Sequence, residues 1–254
     1  MDTQHCSKHT HTLKQLMHMT RIDRLLSARG IHVPVSPNAT LAMTRTEAGR
    51  FLDALLMPTT RTYVEWGSGG STELVNELLL AKALPYDFLA ISIESSPQWM
   101  KHMRQRSPRL SHGVETGQLR LVHGDMGATG FLGYPLRFNP ADKARALPYV
   151  SLHRKLNGRK ADLVLVDGRF RLACMMEAFS HLNQCASYDK CPQRPTVLLH
   201  DYLPTNRVRA TYERARAFYN LSYRNDSLAT LIPKDNVDTV DVAETLTDAL
   251  GKPA

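Results

Sequence analysis

A glycine-rich turn between a short apolar strand and a helix constrains this chain more than any other stretch. The turn, Gly67-Ser68-Gly69-Gly70, follows a predicted strand over Thr62–Trp66. Glycine has no Cβ and accepts positive φ, so a ligand can approach the main chain closely there. The helix that begins at Ser71 or Thr72 offers unpaired N–H groups in its first turn. The stretch predicts a site for a nucleoside-containing cofactor.

Strand and helix patterns alternate from residue 62 onward. The predicted strands are 62–66, 88–94, 118–122, 162–166 and 196–199, with helices between them, including one from Pro97 to Arg106. Two closely spaced strands near residues 221–224 and 228–232 predict an antiparallel pair. Repeated β-α-β units with strongly apolar strands indicate an α/β fold whose parallel sheet is covered on both faces.

Further segments flank or interrupt this unit, which we place at residues 61–233. Residues 1–60 predict an N-terminal helical extension, with one helix over Leu13–Arg29 and another from the capping box Thr44-Arg45-Thr46-Glu47 to Leu56. Residues 127–160 form an insertion, and an arginine-rich helix is predicted from Asn206 to Tyr219. The polar, acidic residues 234–254 predict a loose tail.

Composition indicates which kinds of partner and which cellular compartment to expect. No apolar run approaches the ~20 residues that span a bilayer, so we expect no membrane partner. Cysteines 6, 174, 185 and 191 form no CxxC pair. They predict reduced thiols in a cytoplasmic protein, with a bridge between Cys185 and Cys191 as the alternative. The net charge is +8, and the insertion holds seven basic residues against one acidic residue. This charge suits an anionic substrate or nucleic acid, or is simply a solvated surface.

Acidic residues stand at or just past the ends of five different predicted strands. They are Glu65, Glu94, Asp125, Asp167 and Asp201. In open parallel sheets, ligands bind beyond the carboxyl ends of the strands. Carboxylates that are buried there cost free energy unless they have a partner. The five positions therefore predict one site at that edge of the sheet.

The first three of these acids indicate which cofactor the turn suits. A dinucleotide site shows G-x-G-x-x-G, and this turn lacks the last glycine. Glu65 would repel a pyrophosphate but suits a cofactor with an amino or sulfonium group. Glu94 can accept hydrogen bonds from two ribose hydroxyls, a feature that NAD sites share and that does not discriminate between the cofactors. Asp125 can accept a hydrogen bond from an adenine amine. S-adenosylmethionine fits these features better than NAD does.

The stretch Val64-Glu65-Trp66-Gly67-Ser68-Gly69-Gly70-Ser71-Thr72, together with Glu94, Asp125 and Val166-Asp167-Gly168, resembles the class I S-adenosylmethionine-dependent methyltransferases. The resemblance covers roughly residues 62–232. It implies a Rossmann-like three-layer sandwich, a mostly parallel seven-stranded sheet with one antiparallel strand near its edge, and methyl transfer by in-line displacement. Gly70-Ser71 departs from the alternating glycines of many members.

The resemblance also implies roles for individual residues. Glu65, Gly67 and Gly69 contact the methionine end of the cofactor, and Glu94 contacts the ribose. The full predicted cofactor set is Glu65, Gly67, Ser68, Gly69, Ser71, Glu94, Asp167 and the adenine residues Gly124, Asp125 and Met126.

Asp167, His200 and Asp201 are the predicted catalytic residues. Some methyltransferases that act on hydroxyls hold a divalent cation between acids at the two strand ends that Asp167 and Asp201 occupy. Mg²⁺ bound there would lower the pKa of a substrate hydroxyl. The alternative is metal-free: Asp167 or His200 is the general base, or Asp167 pairs with Arg169 or Arg171.

Arg169, Arg171 and Tyr202 are the predicted substrate-binding residues, with His153 and Lys155 as weaker candidates. Arginine recognises carboxylate and phosphate groups through paired hydrogen bonds. The alternative is that the arginines form salt bridges within the fold.

We therefore expect an enzyme that methylates oxygen of a small-molecule or glycan-like, anionic acceptor. An RNA methyltransferase stays open because of the charge, although the Asp167-Gly168-Arg169-Phe170 stretch differs from the loop typical of nucleic-acid amino-methylation. An NAD(P)-dependent oxidoreductase and a non-catalytic binding protein of the same fold are further alternatives.

Overall fold

A computed structural model of the protein describes residues 26–27, 29–31, 41–151, 153–156, 158–183, 195–202 and 210–253. The predicted helix over Leu13–Arg29 lies almost wholly outside these residues, as does the start of the arginine-rich helix. Cys6, Cys185 and Cys191 also lie outside them, whereas Cys174 is a free, buried thiol.

Seven strands form one sheet in the order β3-β2-β1-β4-β5-β7-β6. The strands are β1 (Thr62–Trp66), β2 (Leu89–Glu94), β3 (Leu119–His123), β4 (Leu163–Val166), β5 (Thr196–Leu199), β6 (Tyr219–Asn225) and β7 (Leu228–Pro233). Neighbours among β1 to β5 pair in parallel. β7 runs antiparallel to both β5 and β6. The predicted α/β fold with a mostly parallel seven-stranded sheet is confirmed.

The helices among the described residues are α1 (Arg45–Leu55), α2 (Gly70–Leu80), α3 (Pro97–Arg106), α4 (Leu110–Glu115), α5 (Leu147–Val150), α6 (His153–Leu156), α7 (Arg171–Asn183) and α8 (Thr239–Ala249). Short 3₁₀ turns occur at Phe131–Gly133, Lys143–Ala146 and Ala210–Ala217. None of these helices is both long and apolar enough to cross a bilayer.

Side chains alternate between the two faces of the sheet, and each face carries its own core. In β1, Val64 and Trp66 point into the core that contains α7, whereas Tyr63 points into the core that contains α1 and α2. This period of two places Glu65 on the α2 side. The chain order reverses between β1 and β4, and a cleft at such a switch point is where open α/β sheets bind ligands.

The predicted capping box starts α1 and also ties this helix to the sheet. The Glu47 backbone N–H donates to the Thr44 hydroxyl, and Glu47 Oε2 accepts from the Thr44 backbone N–H at 2.8 Å. Glu47 Oε1 accepts from the Ser227 backbone N–H at 2.7 Å. Burial acts to raise the pKa of Glu47, but the hydrogen bonds from Thr44 and Ser227 outweigh it and lower this pKa. α1 is thereby fastened to the turn between β6 and β7.

Two predicted segments differ from the structure. Of the arginine-rich helix, the described part is the 3₁₀ segment Ala210–Ala217, and Tyr219 already belongs to β6. The predicted loose tail contains α8, which starts at an Asp238 cap and buries Val242, Ala249 and Leu250 in the core beside α7. α8 is stabilised by contacts with a helix that is distant in sequence, so the polarity of its own residues does not predict that it is ordered.

The packing of α8 predicts unequal effects for two valines of the same helix. Val242 is 2% exposed and Val240 is 59% exposed. Val242→Ala should lower the free energy of unfolding by about 2 kcal/mol, because it removes buried methyl groups and leaves a cavity. Val240→Ala should change it by less than about 0.5 kcal/mol. Urea denaturation of both variants measures the difference, and equal effects would show that α8 does not pack stably.

Candidate active site

A cavity of about 680 Å³ opens at the carboxyl edge of β1, β2 and β4. Its volume is in the range of small-molecule sites. Seven of the predicted site residues line it: Gly67, Ser68, Gly69, Ser71, Glu94, Asp167 and Arg169. The structure therefore brings most of the glycine turn together with the ends of β2 and β4.

The glycines of the turn serve different purposes. Gly67 has φ +94°, and a Cβ there would lie 2.8 Å from the Gly168 Cα. Gly168 is equally restricted, because its Cβ would lie 1.9 Å from the Tyr149 hydroxyl. These two glycines allow the turns after β1 and β4 to touch. A Cβ on Gly69 would meet nothing within 4 Å, so Gly69 leaves room at the cavity wall.

Glu65 lies beneath the turn and does not line the cavity. Its Oε2 accepts from the hydroxyls of Tyr63 at 2.8 Å and Ser71 at 2.6 Å, and its Oε1 accepts from the Thr72 hydroxyl. Burial raises the pKa of Glu65, and the three hydroxyls oppose that rise. The carboxylate therefore fastens β1 to the first turn of α2. Contact of Glu65 with the methionine end of a cofactor stays a prediction.

Glu94 lies on the cavity wall, but both of its oxygens already have protein donors. Oε2 accepts from the Ser68 backbone N–H at 3.2 Å and from its hydroxyl at 3.0 Å. Oε1 accepts from the backbone N–H groups of Ser95 and Ser96, each at 2.8 Å. A carboxylate has about four acceptor positions, so Glu94 is held rigidly and has little capacity left for ribose hydroxyls.

The three predicted adenine residues lie away from the cavity wall. The exposed Asp125 accepts from the Gly127 backbone N–H at 2.8 Å, which closes a local turn. Met126 is buried in the core, and a Cβ on Gly124 would lie 2.6 Å from the Tyr149 Cα. The structure thus assigns turn and packing roles to these residues.

Arg171 occupies the position between Asp167 and Asp201 where the sequence predicts a metal ion. Its Nη2 lies 3.1 Å from Asp167 Oδ1 and 3.2 Å from Asp201 Oδ2. Its other donors reach the carbonyls of Gly168 and His200. Burial acts to lower the pKa of Arg171, but Asp167 and Asp201 outweigh it and raise this pKa. Arg171 therefore forms salt bridges within the fold, which is the alternative to substrate binding that the sequence left open. It does not line the cavity.

His200 is also enclosed by acids. Its Nδ1 lies 3.0 Å from Asp167 Oδ1, and its Nε2 lies 3.6 Å from Glu47 Oε2. Burial acts to lower the pKa of His200, but the hydrogen bond and charge of Asp167 outweigh it and raise this pKa. A buried imidazole that faces acids on both sides favours the protonated form. His200 is thus poorly placed for the predicted role of general base.

The environment of His200 predicts how stability depends on pH. Because its folded-state pKa is raised above that of the unfolded chain, near 6.5, its contribution is complete below about pH 6.5 and is lost as pH rises through the folded-state value. Unfolding free energies at pH 6 and pH 8.5 should differ less in His200→Gln than in the unchanged protein. His112→Gln is the matched control, since His112 is exposed. Parallel pH profiles for the unchanged protein and His200→Gln would contradict this assignment.

The acidic cluster fits a divalent cation poorly. Potential ligand atoms of Asp167, His200 and Asp201 lie within 4.8 Å of one another. However, the Arg171 guanidinium already forms ion pairs with both carboxylates, and a second cation beside it would be repelled. Asp201 also has φ +58°, which is uncommon for a residue other than glycine. Mg²⁺ binding at this cluster is not supported.

Calorimetric titration with MgCl₂ tests whether the cluster of Asp167, His200 and Asp201 binds a divalent cation, and it does not require enzyme turnover. We expect no heat of binding up to millimolar concentration, because the two carboxylates are already paired with Arg171. A dissociation constant below about 1 mM in the unchanged protein that disappears in Asp201→Asn would restore the metal site.

Arg169 is the predicted substrate-binding residue that does reach the cavity. Its guanidinium lies 4.1 Å from the centre of the Tyr134 ring, and its backbone N–H donates to the Tyr149 hydroxyl at 3.2 Å. Its Nε is buried and has no hydrogen-bond partner among the described residues. In contrast, Tyr202 is buried and donates its hydroxyl to Glu213, and burial together with Glu213 raises its pKa to about 12.

The basic insertion contributes structure as well as charge. The Lys155 ammonium donates to the carbonyls of Pro148 at 2.9 Å and Tyr149 at 3.3 Å, at the end of α5. A Cβ on Gly127 would lie 2.2 Å from Arg145 Nη2, so Arg145 packs against the loop after β3. His153 belongs to α6, and its side chain lies outside the described parts of the chain.

Several cavity residues have no evident signal in the sequence. Trp99, in the first turn of α3, donates its indole N–H to the Ser68 carbonyl at 2.7 Å, and the Arg106 guanidinium lies 5.5 Å from the centre of its ring. Tyr149 of α5 and the hairpin of residues 128–136, which contains Phe131, form another wall. In the sequence, Trp99 is only a tryptophan near a predicted helix start, which does not indicate a cavity wall. The hairpin has no regular apolar period that would predict its position.

These features define a Rossmann-like α/β fold, of the kind that methyltransferases have, with its cavity at the switch point of the sheet. The structure resembles a methyltransferase-like protein from Silicibacter pomeroyi, with a TM-score of 0.62 and 23% identity over 85% of this chain and 98% of that chain. An O-methyltransferase from Bacillus cereus gives a TM-score of 0.42 and 10% identity, over 85% and 91% of the two chains. A ribosomal protein L11 methylase from Lactobacillus delbrueckii gives 0.43 and 15%, over 76% and 79%. The sequence matches no protein-family model and no curated protein.

Proposed function

We propose that the protein transfers a methyl group from S-adenosylmethionine to an oxygen of a small, anionic acceptor. The observation that supports this most is that one cavity joins the open wall at Gly69, the carboxylate of Asp167 and the side chain of Arg169. The fold, the glycine turn and the volume suit the cofactor, and the charge at Arg169 suits the acceptor.

The cofactor end is the part of the cavity at the glycine turn and the first turn of α2. Gly69 leaves the backbone open to a ligand, and Ser71 lies in the first turn of α2, where backbone N–H groups are unpaired. The buried carboxylate of Glu65 beneath this turn disfavours a pyrophosphate there. This arrangement supports S-adenosylmethionine over NAD.

The reacting end lies beside Asp167. When bound, S-adenosylmethionine supplies a sulfonium methyl group, which an acceptor oxygen displaces in line, so that a C–O bond forms as the C–S bond breaks. The contacts of the Asp167 carboxylate with His200 and Arg171 all use Oδ1. Its Oδ2 has no hydrogen bond to any described residue, so it can hold the ammonium group of the cofactor or accept the hydroxyl proton of the acceptor.

The acceptor end is assigned to Arg169. The buried Nε of Arg169 has no hydrogen-bond partner among the described residues. A buried donor without a partner costs about 1–3 kcal/mol, more for a charged group, and an anion that accepts from this Nε would remove that cost. Arg169 follows Asp167 by two residues, so an anion held there keeps the rest of the acceptor near the reacting end. The neighbouring basic insertion adds attraction for anions over a longer range.

Calorimetry with S-adenosylhomocysteine and with NAD tests the cofactor assignment. We expect saturable binding of S-adenosylhomocysteine and none of NAD. Gly69→Ala should keep the thermal stability, because its Cβ meets no protein atom, but should weaken S-adenosylhomocysteine binding by about tenfold or more. Failure of the unchanged protein to bind S-adenosylhomocysteine would remove the proposed activity.

The same titration with Asp167→Asn separates the two roles of this carboxylate. If Asp167 holds the ammonium group, the variant binds S-adenosylhomocysteine more weakly. If it accepts the acceptor proton, binding is kept and turnover of an identified acceptor falls about 100-fold or more.

A further inference from the structure

One wall of the cavity is a hairpin of residues 128–136 whose side chains are unusually apolar for their exposure. The hairpin is closed by hydrogen bonds from the Gly130 backbone N–H to the Tyr134 carbonyl and from the Leu136 backbone N–H to the Ala128 carbonyl, each 2.7 Å. Phe131 is 85% exposed and Leu132 is 65% exposed, and both line the cavity. Tyr134 and Leu136 are exposed as well.

The tip of the hairpin holds Leu132 in an unfavourable conformation. Leu132 has φ +54°, a left-handed conformation that costs a leucine about 1 kcal/mol or more. The adjacent Gly133 also has positive φ, and a Cβ there would lie 2.8 Å from the Ser95 hydroxyl. The tip is thus packed against the end of β2, and the strained residue presents an apolar side chain to the cavity.

The hairpin and Arg169 form one wall. Tyr134 of the hairpin carries the Arg169 guanidinium over its ring, which fixes a cation beside Phe131 and Leu132. Leu41 and Met43 line the cavity as well, so the apolar character extends beyond the hairpin. An exposed apolar patch next to a cation whose Nε has no hydrogen-bond partner among the described residues is complementary to a ligand that has both an apolar and an anionic part.

We propose that the acceptor has an apolar, aromatic or aliphatic, body that packs on Phe131 and Leu132, and an anionic group that binds Arg169. This inference deepens the proposed function and rests on it for the chemistry at the hydroxyl group. It favours an apolar ring or chain over a polyhydroxylated one as the acceptor body, because hydroxyl groups buried against Phe131 and Leu132 would lose hydrogen bonds to water without gaining a partner.

The dye 8-anilinonaphthalene-1-sulfonate has this combination of an apolar aromatic body and an anion, so it serves as the probe. Fluorescence titration of the full chain with saturating S-adenosylhomocysteine should show one saturable site. Phe131→Ser and Arg169→Gln should each weaken binding about five- to tenfold, through the lost apolar contact and the lost charge-assisted hydrogen bond. The neutral analogue N-phenyl-1-naphthylamine should respond to Phe131→Ser and not to Arg169→Gln.

Matched controls separate the site from surface effects. Tyr86→Ser removes a 98% exposed aromatic residue outside the cavity, and Arg159→Gln removes an exposed charge of the insertion. Both should leave dye binding unchanged. Arg169→Lys should recover only part of the affinity lost in Arg169→Gln, because lysine has the charge without the planar guanidinium. Melting temperatures of all variants check that they remain folded.

Competition for the dye distinguishes the acceptor class. Displacement by 4-hydroxyphenylacetate should need lower concentrations than displacement by glucuronate, although both carry a carboxylate and a hydroxyl group. Equal displacement by the two acids would overturn the apolar requirement. Competitive displacement of the dye by S-adenosylhomocysteine would also overturn the proposal, since the hairpin would then bind the cofactor.

Two other results have clear meanings. If dye binding weakens as the protein self-associates, and Phe131→Ser abolishes that association in sedimentation velocity, the hairpin binds a second copy and the proposal fails. If S-adenosylhomocysteine does not bind but dye binding still depends on Phe131 and Arg169, the site for an amphipathic anion is supported and the proposed methyl transfer is contradicted.

Discussion

The buried guanidinium of Arg171 is the interaction on which the carboxyl edge of the sheet depends. It joins the ends of β4 and β5 by contacting the carboxylates of Asp167 and Asp201 and the carbonyls of Gly168 and His200. Removing one partner of a buried ion pair costs about 3–5 kcal/mol, because the remaining charge is left without compensation. Arg171 therefore allows two acids to lie side by side in a partly buried place and removes the need for a metal ion there.

The same network extends to the N-terminal part of the described chain. His200 connects Asp167 to Glu47, and Glu47 connects α1 to the turn between β6 and β7. These ion pairs and hydrogen bonds form a rigid layer of linked charges beneath the site. The outer side, formed by the hairpin and Arg169, instead has exposed apolar side chains and a donor, Arg169 Nε, that no described residue accepts from. The structure thus combines a rigid layer beneath the cavity with a rim whose side chains are open to a ligand.

The sequence was sufficient for most of the fold because its signals are local. Strands β1 and β5 and helix α3 have the predicted bounds, since apolar runs, Pro97 and flanking polar residues mark them. The capping box of α1 is likewise a short-range pattern. α8 was missed because few of its residues are buried, and the core beside α7 that stabilises them is remote in the sequence.

For the site, the sequence by itself determined the glycine turn and the placement of acids at strand ends, because strand limits and side-chain types are local properties. Only the tertiary structure decided what each acid does: Asp167 reaches the cavity, Asp201 pairs with Arg171, and Asp125 closes a turn. The same holds for Glu65, whose hydroxyl partners consume its oxygens beneath the turn. A carboxylate binds the nearest donor, and which donor is nearest depends on residues that only folding brings together.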